Sequence, residues 1–272
     1  MEQAKPEGES AVVLLSGGMD STVALAIALQ ECEAGVHALS FKYGSRHNAV
    51  EYKAAQAVVK WYQELGFQIT HQLVELPDIF VGGGRSALMG DIDMPHQSYD
   101  ELHAVDGESP TVVPFRNGVL LSIAAAVAEV RQYGWVYSGA HGEDAHRWAY
   151  PDCAPEFNGS IGAAIYVGTY HRVRLKVPFQ YMFKDGVCGG GLALKAPLHL
   201  TWSCYAPAVW GTTPDGEIIH VHCGKCPTCI ERIQAFKNSG VIDPVEYAVD
   251  VDWEDCISYE MLNIARTAPT EE

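Results

Sequence analysis

Near its start, the chain carries a segment whose residue types suit the binding of phosphate. The sequence Leu-Ser-Gly-Gly-Met-Asp-Ser-Thr joins an apolar run at 11–15 to a second apolar run at 21–30. Gly17 and Gly18 have no Cβ, so their backbone can approach an anion closely. A helix that starts here also directs N–H groups and a positive dipole end at the anion. The residues predicted to hold a nucleotide are Leu15, Ser16, Gly17, Gly18, Met19, Asp20, Ser21 and Thr22.

Asp20 is the unusual member of this segment, because a carboxylate repels a polyphosphate. No lysine follows the glycines as in the GxxxxGK[ST] loop, so backbone and hydroxyl groups would do most of the binding. We expect Asp20 to contact Mg²⁺. The alternative is that it only caps the helix.

A second group of functional side chains follows the predicted strand at 36–41. Loops at the carboxyl ends of parallel strands line the ligand crevice of such sheets. The sequence therefore predicts Tyr43, Arg46 and His47 near the nucleotide, for aromatic contact and phosphate pairing. The alternative is that they are turn residues at the start of the next helix.

Cysteines near the C-terminus have the spacing of a metal site. Two residues separate Cys223 from Cys226 and Cys226 from Cys229, and eighteen residues lie between Cys204 and Cys223. Four thiolates close a tetrahedral structural zinc site. An iron–sulfur cluster is the main rival, because C-x2-C-x2-C also occurs in ferredoxins. Chance clustering of buried thiols is the remaining alternative.

Composition limits the class of protein. The 272 residues carry a formal net charge of −16, and 48% of them are hydrophobic. So acidic a chain is not expected to bind nucleic acid directly, since such binding depends on clustered Lys and Arg. No apolar run has the length of a membrane span, and the polar N-terminus shows no signal peptide. We therefore expect a cytoplasmic protein that does not bind membranes and acts on a small molecule.

The pattern of strands and helices predicts an α/β fold. Three βα repeats of about thirty residues imply parallel strands joined by right-handed crossovers. We expect five parallel strands in a Rossmann-like sheet with a C-terminal zinc-binding region. The predicted strands are 11–15, 36–41, 67–76, 135–140 and 172–177, and the predicted helices are 21–30, 46–65, 114–132 and 156–167.

Segments outside this pattern complete the expected organisation. Residues 77–110 read as a long loop or lid, and 207–222 as a hairpin between zinc ligands. We predict a flexible N-terminus at 1–10 and an ATP-binding domain at 11–182. A zinc-binding region at 183–240 and a tail at 241–272 follow.

Six motifs in order resemble one known family. They are Ser-Gly-Gly-Met-Asp-Ser, Phe-x-Tyr-Gly-x-Arg-His, Val-Pro-x-Arg-Asn, Tyr-Pro-Asp-Cys, Thr-Trp-Ser-Cys-Tyr and Cys-Gly-x-Cys-x-x-Cys. Over about residues 11–237 the chain resembles the QueC family of 7-cyano-7-deazaguanine synthases, within the PP-loop ATP pyrophosphatases. The resemblance implies an adenine nucleotide alpha hydrolase-like fold. It also implies ATP-dependent conversion of 7-carboxy-7-deazaguanine and ammonia to the nitrile preQ0, and a homodimer.

The resemblance also assigns roles to residues. The predicted catalytic residues are Asp20, Arg116 and Lys184. Mg²⁺ and ATP are expected to bind near Asp20. The residues predicted to bind the deazaguanine substrate are Arg116, Asn117, Tyr150, Asp152 and Glu156. Asp152 and Glu156 would accept hydrogen bonds from the guanine-like edge. Alternatively, these two carboxylates only occupy a turn and a helix start, and Lys184 is an exposed surface lysine.

The chain departs from the family pattern at several positions. Phe115 replaces a common glycine, Ala154 a common arginine and Ser45 a frequent glutamine. The resemblance predicts an amphipathic helix within 183–200, but four glycines between 186 and 191 place that helix in doubt, at about 1 kcal/mol each.

Two other functions fit the same motifs. A related enzyme would stop at the amide or adenylate another acceptor. A zinc-stabilised binding module without catalysis would release no pyrophosphate.

Overall fold

The computed structural model describes residues 9–76, 78–80, 86–89, 92–102, 109–146 and 149–262. Of Asp100, only the backbone is described. Most of the predicted flexible N-terminus and much of the predicted loop at 77–110 therefore lie outside the described residues. Across the described ranges, no helix is long and apolar enough to cross a lipid bilayer.

Strands and helices alternate along the first two thirds of the chain. The strands are β1 (Ala11–Leu14), β2 (Val36–Lys42), β3 (Ile69–Glu75), β4 (Trp135–Tyr137), β5 (Arg174–Lys176), β6 (Ala208–Thr212) and β7 (Ile218–Val221). The α-helices are α1 (Met19–Glu31), α2 (Asn48–Glu64), α3 (Tyr99–Leu102), α4 (Arg116–Arg131), α5 (Pro155–Gly168), α6 (Lys184–Ala193) and α7 (Pro227–Asn238). Short 3-10 turns lie at Pro151–Cys153, Leu198–Leu200 and Tyr259–Leu262.

The first five strands form one parallel sheet in the order β3-β2-β1-β4-β5. β1 pairs with β2 on one side and with β4 on the other, and Val13 lies beside both Ala38 and Tyr137. The order reverses direction on the two sides of β1, which creates a crevice at the carboxyl ends of β1 and β4. The prediction of a five-stranded Rossmann-like sheet is confirmed.

Alternate residues of β1 belong to the two faces of the sheet. Val13 packs in a cluster with α1, α2 and α6, whereas Val12 packs in a second cluster with α4 and α5. Both residues are fully buried, as expected for a central strand covered on both faces. Phe236 of α7 lies in the first cluster, so the C-terminal helix shares the core of the sheet.

The helix placed in doubt by its glycines does form, as α6. Packing requires a glycine at position 191, because a Cβ there would lie 2.7 Å from Val23 Cγ2 and 3.2 Å from Leu198 Cδ2. The missing side chain lets α6 pack closely on α1. Gly189 and Gly190 have no such neighbour within 4 Å of the same position. Tertiary packing therefore offsets the low helix propensity of this segment.

The predicted hairpin is present. β6 and β7 pair antiparallel between Cys204 and Cys223, with a register shift between Val209 and Gly211. Gly216 adopts a φ of +88° in the turn. The hairpin thus joins two parts of the cysteine cluster without adding to the main sheet.

Candidate active site

One cavity lies at the carboxyl ends of the strands and collects most of the predicted site residues. The predicted residues that line it are Leu15, Ser16, Gly18, Asp20, Ser21, Tyr43, Arg116, Asn117, Tyr150 and Lys184. His47 lines it as well. Met19 and Thr22 are fully buried behind the loop. Chain segments far apart in sequence therefore meet where the sheet topology predicts a ligand.

Close packing against α2 and hydrogen bonds within the loop fix the shape of the loop between β1 and α1. Gly17 has a φ of +90°, and a Cβ there would lie 2.3 Å from the carbonyl oxygen of Glu51. Ser16 Oγ accepts a hydrogen bond from the N–H of Gly18 at 3.1 Å and lies 3.0 Å from Ser21 Oγ. Because α1 begins at Met19, its first-turn N–H groups have no helical carbonyl partners and remain suited to phosphate.

An ion pair between a buried lysine and partly buried carboxylates joins this loop to α6. Lys184 Nζ lies 2.6 Å from Asp20 Oδ2 and 3.3 Å from Glu231 Oε2. Burial alone would lower the pKa of Lys184, but these two carboxylates outweigh it and raise that pKa above its ordinary value. Burial would raise the pKa of Asp20, yet Lys184 and His141 hold it below its usual value. Both side chains are therefore charged at neutral pH, and Lys184 is not an exposed surface lysine.

Arg116 provides a second cation in the cavity. Its Nη1 donates to Tyr43 Oη at 3.1 Å, and its guanidinium carbon lies 5.7 Å from the centre of that ring. Among the described residues, the guanidinium hydrogen-bonds to this phenol and forms no direct ion pair with a carboxylate. A planar fork held in this way suits a carboxylate or a phosphate oxygen.

Asp152 serves the start of α4. Its Oδ2 accepts a hydrogen bond from the backbone N–H of Asn117 at 2.8 Å. Asn117 Nδ2 donates to the carbonyl of Asp152 and lies 3.1 Å from Cys153 Sγ. Asp152 is buried but does not line the cavity, so it holds Asn117 in position.

Two predicted residues lie away from the cavity. Arg46 and Glu156 are both exposed, and neither lines the cavity.

Tyr150 is buried in the wall of the cavity, and its hydroxyl lies 2.5 Å from Thr111 Oγ1 and 3.2 Å from Tyr99 Oη.

The structure also brings in residues that the sequence analysis did not assign. His141 and Asp144 follow β4, so the rule on strand ends could have found them. Glu231 lies on α7, and no signal in the sequence points to it. Glu51, on α2, lines the cavity, and burial raises its pKa to about 8 against the effect of Arg116. Burial lowers the pKa of neighbouring His47 to about 4, so the 3.5 Å contact between them joins two neutral groups.

The four predicted metal ligands do come together. The sulfur atoms of Cys204, Cys223, Cys226 and Cys229 all lie within 4.8 Å of one another. Two of the separations are 3.9 Å (Cys223 to Cys229) and 4.0 Å (Cys204 to Cys226). Four sulfurs bound tetrahedrally at about 2.3 Å from one ion lie about 3.8 Å apart. The cluster therefore has the dimensions of a site for a single metal ion.

Comparison with known proteins identifies the class to which this fold and loop belong. The family model described as "Queuosine biosynthesis protein QueC" matches residues 10–240. The 7-cyano-7-deazaguanine synthase of Desulfotalea psychrophila is 38% identical over 238 residues, covering 88% of this chain and 98% of that relative. The synthase of the same name from Thermoplasma acidophilum is 38% identical over 246 residues, covering 89% and 93%.

A solved structure, the U34-tRNA thiolase NcsA from Methanococcus maripaludis with its [4Fe-4S] cluster, aligns with a TM-score of 0.42 at 19% identity. It covers 71% of this chain and 59% of its own. The assignment of class rests instead on the sheet, the loop and the sequence relatives, which define a nucleotide-loop α/β enzyme. The chain belongs to the QueC family.

Proposed function

We propose that this chain is a 7-cyano-7-deazaguanine synthase, which converts 7-carboxy-7-deazaguanine and ammonia to the nitrile at the expense of ATP, within queuosine biosynthesis. One observation carries the proposal. The phosphate-type loop and the pair of Lys184 with Asp20 face one cavity that also holds Arg116. The curated relatives of the same family bear the name of this activity.

The reaction needs two activations. A carboxylate is a poor electrophile, so one of its oxygens attacks the α-phosphorus of ATP, and pyrophosphate leaves. Ammonia then attacks the carbonyl carbon, loses a proton and expels AMP, which gives the amide. The amide oxygen attacks a second ATP, and pyrophosphate leaves again. Loss of AMP and of both N–H protons then forms the nitrile.

Catalysis of this kind depends on positioning and on stabilising phosphate charge. In our proposal Ser16, Gly17, Gly18 and Ser21 hold the pyrophosphate portion of ATP. Mg²⁺ bound with ATP, near Asp20, would neutralise phosphate charge. Lys184 lies at the loop, where a fixed ammonium stabilises the leaving pyrophosphate. Tyr43 and Arg46 remain candidates for nucleotide contact.

The substrate would bind beside Arg116. Its carboxylate matches the guanidinium in charge and geometry. Asn117 and Tyr150 line the same wall and offer an amide and an aromatic ring. Asp152 would act through Asn117, and contact between Glu156 and the guanine-like edge stays a prediction.

We propose Zn²⁺ as the metal of the four-cysteine cluster. A closed set of four thiolates leaves no open position, which is typical of structural zinc. The sulfur separations of 3.9 Å and 4.0 Å support a single ion rather than a cluster of irons, which would hold its cysteines further apart. The metal would then tie the hairpin β6–β7 to α7.

Other features of the proposal rest on the family alone. A homodimer, a cytoplasmic location, the absence of direct nucleic-acid or membrane partners and the division into an ATP-binding domain (11–182) and a zinc-binding region (183–240) stay predictions.

The exchange of labelled pyrophosphate into ATP tests the first activation. Zinc-replete protein should catalyse it when ATP, Mg²⁺ and 7-carboxy-7-deazaguanine are present, and should not when the acid is omitted. Exchange that never depends on the acid would contradict the proposed substrate.

A further inference from the structure

Glu51 is a carboxyl group in the wall of the cavity to which the proposed mechanism gives no task. It belongs to the first turn of α2. Its backbone packs so closely on the nucleotide loop that a Cβ at Gly17 would overlap its carbonyl oxygen. Its side chain lines the cavity and is 17% exposed. The carboxyl group therefore lies next to the loop that would hold the phosphates of ATP and opens onto the same space.

The reacting carbon of the substrate must lie close to this wall. In the proposed function the loop holds the phosphates, Arg116 binds the substrate carboxylate, and adenylation joins that carboxylate to the α-phosphorus. The carbon that ammonia attacks thus lies between the loop and Arg116. Glu51 packs on the loop, and Arg116 is close enough to act on the charge of its carboxylate. Glu51 therefore adjoins the place where the C–N bond forms.

The other carboxylates that line the cavity are already engaged by stronger partners. Asp20 Oδ2 and Glu231 Oε2 lie 2.6 Å and 3.3 Å from Lys184 Nζ. Asp144 Oδ2 accepts a hydrogen bond from the backbone N–H of His141 at 3.2 Å. Glu51 differs from Asp20 and Glu231 because it is not held by a lysine.

The two histidines that line the cavity are poor candidates for a base. Burial lowers the pKa of His47 to about 4. His141 Nε2 lies 3.3 Å from Lys184 Nζ and accepts a hydrogen bond from that ammonium group, so its lone pair is occupied. Among the carboxyl and imidazole groups of the described cavity wall, Glu51 is thus the best placed to receive a proton.

Ammonium needs a base of suitable strength. NH₄⁺ has no lone pair, so it must lose a proton before its nitrogen can attack a carbonyl carbon. A general base works best when its pKa lies near the pH of the reaction. Burial raises the pKa of Glu51 from an ordinary 4.5 to about 8, although Arg116 and Asn48 oppose this effect. Its carboxylate is therefore a far stronger base than that of an exposed glutamate.

The surroundings of Glu51 contain few other groups that titrate. Those that line the cavity beside it are His47 and Tyr52 of α2, Tyr43 of the turn before α2, Arg116 of α4 and Tyr205, which follows Cys204. Of these, Arg116 supplies the charge that acts on Glu51. The 3.5 Å contact with His47 involves a neutral imidazole.

We propose that Glu51 is the general base of amide formation, whose carboxylate takes a proton from ammonium so that the resulting ammonia attacks the acyl adenylate. The inference rests on the proposed function. The nitrogen lone pair forms the C–N bond, the C–O bond to AMP breaks, and the departing oxygen keeps its electron pair. The nitrogen then loses one more proton to water, and Glu51 returns its own proton to water.

Glu51→Gln tests this role, because it keeps the size of the side chain and removes the base. The rate of amide formation from ammonium should fall about a hundredfold or more. Pyrophosphate exchange, which needs no ammonium, should stay close to the wild-type rate. Hydroxylamine is uncharged at neutral pH, so it should still convert the adenylate to the hydroxamate at close to the wild-type rate. Glu64→Gln, at an exposed position of the same helix, is the matched control and should change none of these rates.

Wild-type protein provides a test that does not depend on the folding of a variant. At a fixed, low concentration of ammonium, amide formation should accelerate up to about pH 8, as Glu51 ionises, and then level off. Pyrophosphate exchange at each pH corrects for effects on the first activation. Direct attack by free ammonia would overturn the inference, because the rate would then continue to rise above pH 8, where most of the ammonium is still protonated.

The remaining outcomes also decide the question. Amide formation at the wild-type rate in Glu51→Gln would exclude the base and leave the proposed function standing. Loss of the hydroxamate together with the amide, or loss of exchange itself, would show that Glu51 serves binding or packing instead. Wild-type protein that lacks acid-dependent exchange refutes the proposed function and this inference together.

Discussion

Lys184 and Asp20 lie 164 positions apart in the chain, yet Lys184 Nζ and Asp20 Oδ2 are 2.6 Å apart. The contact ties the first residue of α6 to the first turn of α1. It therefore sets the position of the nucleotide loop relative to the C-terminal region, and it holds a permanent cation where pyrophosphate is expected to leave.

Removing that cation should affect both stability and catalysis. Lys184→Met leaves the partly buried carboxylates of Asp20 and Glu231 without a counterion. Breaking a fully buried pair costs about 3–5 kcal/mol, so we expect a loss of stability below that range. Urea unfolding should show this loss, and pyrophosphate exchange should fall at least a hundredfold. Lys60→Met, which removes a surface lysine 4.0 Å from Glu64, should change unfolding by less than about 1 kcal/mol. Full activity of Lys184→Met would exclude a catalytic role for the Lys184 side chain.

The shape of the nucleotide loop depends on Gly17. Gly17→Ala would place a Cβ 2.3 Å from a backbone carbonyl at a φ of +90°, so the loop must move away from α2. We expect ATP binding, measured by calorimetry, to weaken at least tenfold. Gly216→Ala places an alanine at a similar φ of +88° in the open turn of the hairpin, where the added Cβ would have no atom within 4 Å. This control should leave ATP binding unchanged, and equal loss in both variants would argue against a specific role for the loop.

The glycines of α6 should respond to substitution in opposite directions. Gly189→Ala meets no atom within 4 Å, so it should stabilise the protein by up to about 1 kcal/mol through helix propensity. Gly191→Ala meets Val23 Cγ2 at 2.7 Å, and overpacking of this kind costs about 1–3 kcal/mol. Thermal unfolding of both variants measures the difference. Two shifts of the same sign would mean that α6 does not pack on α1 as described.

Glu51 should make stability depend on pH. Burial raises its pKa in the folded chain to about 8 from an ordinary value of 4.5, so the folded state favours the neutral carboxyl. The stabilisation of the folded state by this neutral carboxyl is fully present below pH 4.5. It is lost gradually as the pH rises from 4.5 through 8. At about 1.4 kcal/mol per pKa unit, that loss amounts to a few kcal/mol.

Urea unfolding at pH 6 and pH 8.5 measures this effect. Glu51→Gln, which is neutral at both values, should show a smaller fall in stability between them than the wild type. The stability of the control variant Glu33→Gln, at an exposed position, should fall by as much as that of the wild type. An unchanged fall in Glu51→Gln would show that the carboxyl is solvated in the folded chain.

Metal removal should act mainly on the C-terminal region. Protein purified with zinc should contain about one ion per chain and show no visible absorption, whereas an iron–sulfur cluster would colour it. Cys229→Ser should lose the ion and unfold at a lower temperature, while Cys256→Ser, outside the cluster, should retain it. Bound iron with acid-labile sulfide would overturn zinc as the resident metal.

The sequence was most informative where local pattern and topology agree. Runs of apolar residues and the turn residues between them predicted β1 to β5 and their parallel pairing. The tendency of loops at the carboxyl ends of parallel strands to line a ligand site correctly placed Tyr43 at the cavity. The loop at Ser16 and the cysteine spacing were readable because single short segments carry them.

The failures have physical causes. The pairing of Glu231 with Lys184 is a tertiary contact between two helices, and no local pattern encodes it. The doubt about α6 weighed helix propensity alone and missed the packing of Gly191 on Val23. Phe115 adopts a φ of 54° at the start of α4, a left-handed conformation that favours glycine, and its ring covers Gly118.

Product analysis tests the central claim most directly. Zinc-replete protein would be incubated with ATP, Mg²⁺, ammonium and 7-carboxy-7-deazaguanine, and the base and the adenine nucleotides identified by mass spectrometry. We predict 7-cyano-7-deazaguanine with two AMP for each nitrile, and no nitrile from Lys184→Met. Amide as the final product with one AMP would contradict the second activation, and no AMP at all from folded, zinc-replete protein would contradict the assignment as a synthase.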